Sequence, residues 1–301
     1  MQMRMFAISA AVLVLSAGAA TAGPTIFGLT QNDRLVSFDA SAPNTLLTNA
    51  AITGLNAQET IVGIDFRPAT GALYGVTDQN RLVTLDAAGV ATPVGGTTTP
   101  FTLNGARFGV DFNPVPDRIR VVSDTNQSLR LNPNNGNLGG TDTNLAYDVG
   151  DVQAGNAPFV VAAGYTNSPI GGPAPASTTL YGIDARRNAL VRIGSLGGSP
   201  ISPNAGTLFT VGNYVSLTNS PDVVGFDIFS QGGTDTGYLS TVALLGFNAF
   251  YTIDLATGAN AFQGNPGQAE GLVIRDIAAI PAPGAIALLG LGGLVIGRRR
   301  R

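Results

Sequence analysis

The feature that most constrains this chain is an internal repeat. "TIFGLTQNDRLVSFD" (Thr25 to Asp39) lies without a gap over "ALYGVTDQNRLVTLD" (Ala72 to Asp86), pairing Gly28 with Gly75, Arg34 with Arg81 and Asp39 with Asp86. "RIRVVSDTNQSLRLN" (Arg118 to Asn132) fits the same frame, "TLYGIDARRNALVRI" (Thr179 to Ile193) fits with a one-residue slip, and "NAFYTID" (Asn248 to Asp254) fits the second half. A period of this length is the mark of a propeller or an array, in which no unit buries its apolar face alone.

A second element precedes each full copy. "IVGIDFRP" (Ile61 to Pro68) matches "RFGVDFNP" (Arg107 to Pro114) and "VVGFDIFS" (Val223 to Ser230), with "FVVAAGYTNS" (Phe159 to Ser168) a divergent fourth. The copy at Thr25 has no such partner before it. Its partner stands at the other end, where "IRDIAAIP" (Ile274 to Pro281) repeats the Ile-x-x-Ile-x-x-x-Pro spacing of Ile61, Ile64 and Pro68. The repeat is circularly permuted, as a ring needs if its last strand is to pair with its first blade and remove two open edges.

Alternation in "RLVTLD" puts Leu82 and Thr84 on one face and Val83 and Leu85 on the other, as for a strand buried between stacked blades. Turns such as "DAAG" (Asp86 to Gly89), "NPNNG" (Asn132 to Gly136) and "DLATG" (Asp254 to Gly258) lead into a short fourth strand. No stretch of the body has convincing helical spacing with caps. The fold expected is an all-β propeller of five blades, the ring closed by the C-terminal strand completing the N-terminal blade. The wider spacing at Pro169 to Pro175 and Gly197 to Pro203 leaves a sixth, degenerate blade as the alternative.

The two ends of the chain read differently from the body. Arg4, an apolar run from Phe6 to Leu15 and the Ala20-Thr21-Ala22 site form a secretory signal peptide over residues 1–22, cut by signal peptidase after Ala22. The run is far short of the roughly 20 apolar residues of a spanning helix. At the other end, residues 281–301 carry Pro281-Ala282-Pro283, an apolar segment and the cluster Arg298, Arg299, Arg300, Arg301. From Ile277 there are 21 uncharged residues, just enough to cross a bilayer as a C-terminal transmembrane helix, with the arginines held on the cytoplasmic side.

The repeat domain spans 23–280. Of the 16 basic residues, one lies in the leader and four in the tail, which leaves 11 against 19 acids and a net charge of −8. Nucleic acid is therefore not an expected partner. The chain has no Cys and no His, and no Lys. That excludes disulfides, Ser-His-Asp and Cys-His nucleophiles, the usual zinc sites and a P-loop lysine. What remains for chemistry is Asp, Glu, Tyr, Arg and hydroxyls.

Asp65, Asp111 and Asp227 share one place in the repeat, so a ring of blades can aim them at the central channel as a carboxylate cluster able to hold Ca²⁺ or share a proton. The alternative is that each Asp ties off its own strand end through backbone N–H groups. Ala278 takes the position in the permuted copy, and the fourth copy has lost the motif. Asp142, Asp148 and Asp151 in "GTDTNLAYDVGD" lack the spacing of a calcium loop and read as a solvated acidic loop. "GGPAPAS" (Gly171 to Ser177) reads as a loop at a blade junction. No catalytic or cofactor-binding residue is assigned.

Two resemblances follow from these residues. The C-terminal stretch resembles the PEP-CTERM sorting signals of Gram-negative bacteria, with Pro281-Ala282-Pro283 standing where the usual motif has Pro-Glu-Pro. The resemblance implies recognition in the inner membrane by an exosortase-type processing enzyme, cleavage near the motif, and release to the cell envelope, surface or extracellular matrix. The body, through "IFGLTQNDRLVSFD", "GIDFRPATGALYGV" and "TLYGID", resembles an exported bacterial family known as domain of unknown function 4394, which implies a propeller-type repeat and supplies no catalytic residues. The function expected is a secreted, non-enzymatic binding or scaffold propeller whose partner is an extracellular polysaccharide. The competing expectation is an Asp-dependent, Ca-assisted hydrolase or lactonase with its site in the channel.

Overall fold

The structure is a computed structural model that describes residues 23–95, 101–215, 223–243 and 246–282. Twenty-one strands form five sheets. In chain order, β1 (Thr25–Thr30), β2 (Arg34–Asp39) and β3 (Leu46–Ala51) belong to blade one. Blade two is β4 (Ile61–Phe66), β5 (Leu73–Thr77), β6 (Leu82–Leu85) and β7 (Ala91–Pro93). Blade three is β8 (Phe108–Asn113), β9 (Arg118–Ser123), β10 (Ser128–Leu131) and β11 (Leu138–Thr141). Blade four holds β13 (Val160–Tyr165), β14 (Leu180–Asp184), β15 (Ala189–Ile193) and β16 (Thr207–Asn213), with the two-residue β12 (Ala146–Tyr147) pairing parallel on its outer edge. Blade five is β17 (Val224–Gln231), β18 (Thr234–Val242), β19 (Asn248–Ile253) and β20 (Asn260–Gly264).

The last strand, β21 (Ile274–Ile280), is the innermost strand of blade one, antiparallel to β1 with Thr25 opposite Ile280 and Gly28 opposite Ile277. The ring is thus a five-bladed β-propeller closed by a strand pair from the two ends of the described chain. Among the described residues there is no sixth blade. The widened spacing is taken up by a loop at 166–179 and by two short 3-10 turns, Leu196–Gly198 and Pro203–Ala205. The one-residue slip of the fourth copy has a local cause: Gly75 faces Val83, whereas Gly182 faces Val191, one residue further along.

Repeated turn residues hold repeated geometry. Asp33, Asn80, Asn126 and Asn188, each in the hairpin between the second and third strands of its blade, have φ of 54°, 60°, 71° and 49°. Asx side chains tolerate this left-handed conformation better than other non-glycine residues. Asp86 Oδ1 accepts the backbone N–H groups of Ala88 and Val90, and Asp254 Oδ1 those of Ala256 and Thr257, which closes the turns into the outer strands.

No single core exists, since apolar side chains fill five seams between neighbouring blades. At the closure seam Phe38 of blade one meets Phe250 of blade five edge to face, ring centroids 5.0 Å apart, and Tyr238 stacks on Phe250 at 5.4 Å. Nearer the axis, the innermost strands approach so closely that side chains are excluded. A Cβ on Gly109 would lie 2.5 Å from the Ala162 carbonyl carbon, and one on Gly225 would lie 2.9 Å from the Asp276 backbone. These glycines stand two residues before Asp111 and Asp227.

Candidate functional site

Every innermost strand is a sheet edge. On β4, Arg67 N–H bonds Ala72 O of the adjacent hairpin arm, so the alternate N–H of Phe66 turns toward the channel with no strand to receive it. The repeated aspartate answers this need. Asp65 Oδ1 accepts Phe66 N–H at 2.7 Å and its Oδ2 accepts Phe112 N–H of blade three at 2.6 Å. Asp111 Oδ1 accepts Tyr165 N–H of blade four at 3.1 Å. Asp227 takes Ile228 N–H at 2.5 Å and Ala279 N–H of blade one at 2.6 Å.

Phe66, Phe112, Tyr165, Ile228 and Ala279 occupy the same register in the five innermost strands. Three carboxylates therefore receive all five amides of one channel level. The sequence places these aspartates together, and the structure brings one oxygen of each within 4.8 Å of the others. Their bonds run across blade boundaries as well as within the strand, and Asp111 makes only the cross-blade one. Ala278 faces Phe27 as Asp65 faces Tyr74, which confirms its place in the frame.

One residue of this site escapes a reading by alignment. Asp276 lies two residues before Ala278, on the same face of β21 by the period-two rule. Its Oδ1 accepts Ile277 N–H at 3.0 Å and its Oδ2 accepts Ile64 N–H of blade two at 2.8 Å. The available signal was the Asp in "IRDIAAIP" at the place where "IVGIDFRP" has Gly63. With it, four of the five seams carry a carboxylate bridge near the axis.

The seam between blades four and five lacks one. Gly164 holds the Asp register there, and a Cβ on it would meet the Phe226 ring at 2.9 Å, so no carboxylate fits. Asp235 substitutes further out, accepting Asn167 N–H at 3.0 Å and the Ser230 hydroxyl at 2.5 Å. A cleft of about 740 Å³ opens along this seam, lined by Tyr181, Arg192, Phe209 and Asp235 among others.

The carboxylates are buried, with Asp65, Asp111, Asp227 and Asp276 at 6%, 3%, 6% and 3% exposure. Desolvation pushes all four upward. For Asp65 the nearby Asp227 adds to the rise, and for Asp111 Asp65 and then Asp227 do so. Asp227 is pushed up to about 6, held there by the N–H groups of Ala279 and Ile228 and by a hydrogen bond with Asp111. Asp276 rises well above the usual carboxylate range despite its two backbone donors.

The space among the triad amounts to about 10 Å³, room for one water molecule or ion. Ser168 and Ile170, from the loop after β13, line the same space, and Gly171 N–H bonds Pro68 O at 2.8 Å. The Gly171 to Ser177 segment is thus part of a loop that reaches from blade four to blade two over this end of the channel. The triad can hold protons in common. As a cation cage it is poorly equipped, because five N–H dipoles point their positive ends at it.

Of the other acidic group only Asp148 stays in a solvated turn, half-exposed and accepting Gly150 N–H at 2.9 Å. Asp142 has a side-chain exposure of 4% and pairs with Arg120 and with Arg130, the latter at 2.8 Å. Asp151 instead anchors Thr210 through its backbone N–H at 2.6 Å and its hydroxyl at 2.8 Å. Asp142, Asp148 and Asp151 do not converge among the described residues.

A family model described as domain of unknown function (DUF4394) matches residues 34–278. The chain belongs to the DUF4394 family. No curated protein matches it. Similar solved structures include the nidogen/laminin complex, at 12% identity and a TM-score of 0.43, covering 85% of this chain and 97% of that one. The WD40 domain of Toxoplasma gondii coronin is similar at 12% identity and 0.39, with 76% and 53% covered. A putative 6-phosphogluconolactonase from Bacteroides uniformis is similar at 11% identity and 0.39, with 81% and 82% covered. The DUF4394 match runs from β2 of blade one through the other four blades and stops within β21, inside the ring-closing strand.

The processing residues fall mostly elsewhere. Pro281 and Ala282 directly follow β21. Ala20, Ala22, Pro283 and Arg298 to Arg301 lie outside the described residues, as do the leader and the C-terminal apolar segment. Among the described residues no helix is long and apolar enough to cross a membrane.

Proposed function

We propose that this DUF4394 chain is an exported, non-enzymatic propeller that binds a component of the envelope or extracellular matrix of a Gram-negative bacterium, a polysaccharide, or serves as a scaffold there. The observation that carries this reading is the use of the channel carboxylates. Five of the six oxygens of Asp65, Asp111 and Asp227 take backbone N–H groups, and the loop bearing Ile170 lies over that end of the channel. A general acid or base needs an oxygen that faces substrate. Here the carboxylates join blades.

Export rests on the leader and the tail. Signal peptidase cleaves after Ala22, an exosortase-type enzyme acts at Pro281 to Pro283, and the apolar segment resides in the inner membrane only in passing. In support, Pro281 follows the ring-closing strand directly, so a cut there spares every blade. Mass spectrometry of the protein recovered outside the cell tests the reading. The expected chain begins at Gly23 and lacks Arg298 to Arg301, and recovery of an intact tail refutes processing.

The convergence of three carboxylate oxygens within 4.8 Å favours a second reading, a Ca-assisted hydrolase or lactonase. Calcium-dependent turnover of a lactone or ester by the exported protein, abolished in Asp111→Asn, would establish it.

A further inference from the structure

The cleft between blades four and five, at about 740 Å³, falls within the roughly 300–1,000 Å³ of small-molecule sites. One wall is a cross-strand row on the face of blade four. Tyr181 of β14 stands opposite Arg192 of β15, and Arg192 stands opposite Phe209 of β16. Opposite partners lie about 5 Å apart, so the row makes a platform about 10 Å long. Below it Val211 and Leu255 are partly buried against the apolar core of the seam, and they form an apolar floor. Asp235 enters from blade five, and Asn167 from the loop after β13.

Three polar groups in this cleft are held in place with bonding capacity unused. Arg192 Nε donates to Gly194 O at 2.9 Å, and its Cζ lies 5.1 Å from the centroid of the Phe209 ring. These contacts fix the guanidinium and leave the N–H groups of Nη1 and Nη2 without a protein acceptor among the described residues. Asp235 Oδ1 takes Asn167 N–H and the Ser230 hydroxyl, while Oδ2 receives no protein donor among the described residues. Tyr181 lines the cleft although only 6% exposed, and its hydroxyl has no protein partner among the described residues. A polar group this buried is ordinarily paired, and the group that can pair it must come from the cleft.

The two opposite charges select against ions, since an anion drawn to Arg192 meets Asp235 and a cation drawn to Asp235 meets Arg192. Hydroxyl groups satisfy both, because each one donates and accepts. A second hollow of about 110 Å³ shares Asn167 and Asp235 with the first and prolongs it past the carboxylate, so the space suits a chain rather than one ring. We propose that the cleft binds an uncharged polysaccharide, its hydroxyls held by Arg192, Asp235 and Tyr181 and its C–H faces lying on Phe209, Val211 and Leu255. The inference rests on the polysaccharide reading above and gives it a place in the fold and a charge.

Matrix polysaccharide of the producing strain, split by anion exchange into uncharged and acidic fractions, is the probe, and affinity electrophoresis of the exported protein through gels containing each fraction is the assay. The uncharged fraction should retard the protein and the acidic fraction should not. Arg192→Gln should weaken that binding by about tenfold or more, since it removes hydrogen bonds from a charged donor, and Tyr181→Phe by about two- to tenfold. Tyr181→Phe deletes a hydroxyl that no described protein group uses, so its melting curve should be unchanged or higher, which separates lost binding from lost folding. Retardation by the acidic fraction alone, or by the uncharged fraction with unchanged affinity in both variants, overturns the inference and leaves the polysaccharide reading standing. Retardation by neither fraction removes that reading and the inference with it. Calorimetric binding of glycylglycine, lost in Arg192→Gln, in place of the uncharged fraction would assign the cleft to a peptide and likewise overturn the inference.

Discussion

Deleting the channel carboxylates one at a time should destabilise the ring in an order fixed by how many amides each one serves. Asp227→Ala and Asp65→Ala each strand two buried N–H groups held at 2.5 to 2.7 Å. An unsatisfied buried donor costs about 1–3 kcal/mol, so each variant should lose about 2–6 kcal/mol. Asp111→Ala strands only Tyr165 N–H, at 3.1 Å, which costs about 1–3 kcal/mol before the relief of repulsion on its neighbours. Urea unfolding at pH 5, below the value of about 6 to which Asp227 is raised, keeps carboxylate repulsion small and isolates the hydrogen bonds. In a domain of this size each kcal/mol also moves the melting temperature by roughly 2–4 °C. Acids kept for catalysis behave in the opposite way, since removing them commonly stabilises a fold. An Asp111→Ala loss as large as that of Asp227→Ala, or stabilisation by any of the three, would refute the structural role.

Other expectations follow from the same geometry. The buried carboxyls bind protons more tightly folded than unfolded, so stability should fall as pH rises from about 4 through 6 and beyond, the window set by Asp227 and extended upward by Asp65, Asp111 and Asp276; melting curves from pH 4 to 8 that rise instead would contradict it. Calcium at millimolar concentration and pH 8 should move the melting temperature by less than about 2 °C, because the amides already fill the triad, whereas a tight site would stabilise by mass action. Glu59→Ala removes the partner of buried Arg81, 2.5 Å away, and the acceptor of the Thr77 hydroxyl at 2.6 Å; a loss of about 3–5 kcal/mol is expected in chemical denaturation. Ending the chain at Gly271 deletes β21, exposing edges on blade one, and should yield aggregates in size-exclusion chromatography; a monomer that melts like the full chain would show that β21 does not close the ring.

The permuted repeat was enough to foresee the fold, because register and turn chemistry are local: Gly28, Gly75 and Gly182 mark the same rung, and Asx residues mark the same left-handed turn. The triad was legible for the same reason. Its bonding was not, since the partners of Asp65 and Asp227 are amides 47 and 52 positions away in the chain, reached only when blades stand side by side. Asp276 was masked by a two-residue offset that keeps the face and changes the level. The loss of the motif in blade four reflects a ring, Phe226, that belongs to the next blade.

The pairing of β1 with β21 also has a mechanical consequence. Thr25 and Ile280 are partners, so both ends of the described chain leave from one end of an antiparallel pair. Tension applied between them opens that pair one rung at a time, the weak direction for such a ladder, because its cross-links are loaded in sequence rather than together. Tension on the tail alone draws out β21, and with it the Ala279 N–H that donates to Asp227 of blade five and the Asp276 carboxylate that accepts Ile64 N–H of blade two, the bonds that tie blade one to its two neighbours. On the proposed route, a tail held in a membrane would hang the protein by the strand whose removal opens the ring. A cut after that strand would take away the handle, leaving a ring able to bear load anywhere except at its own seam.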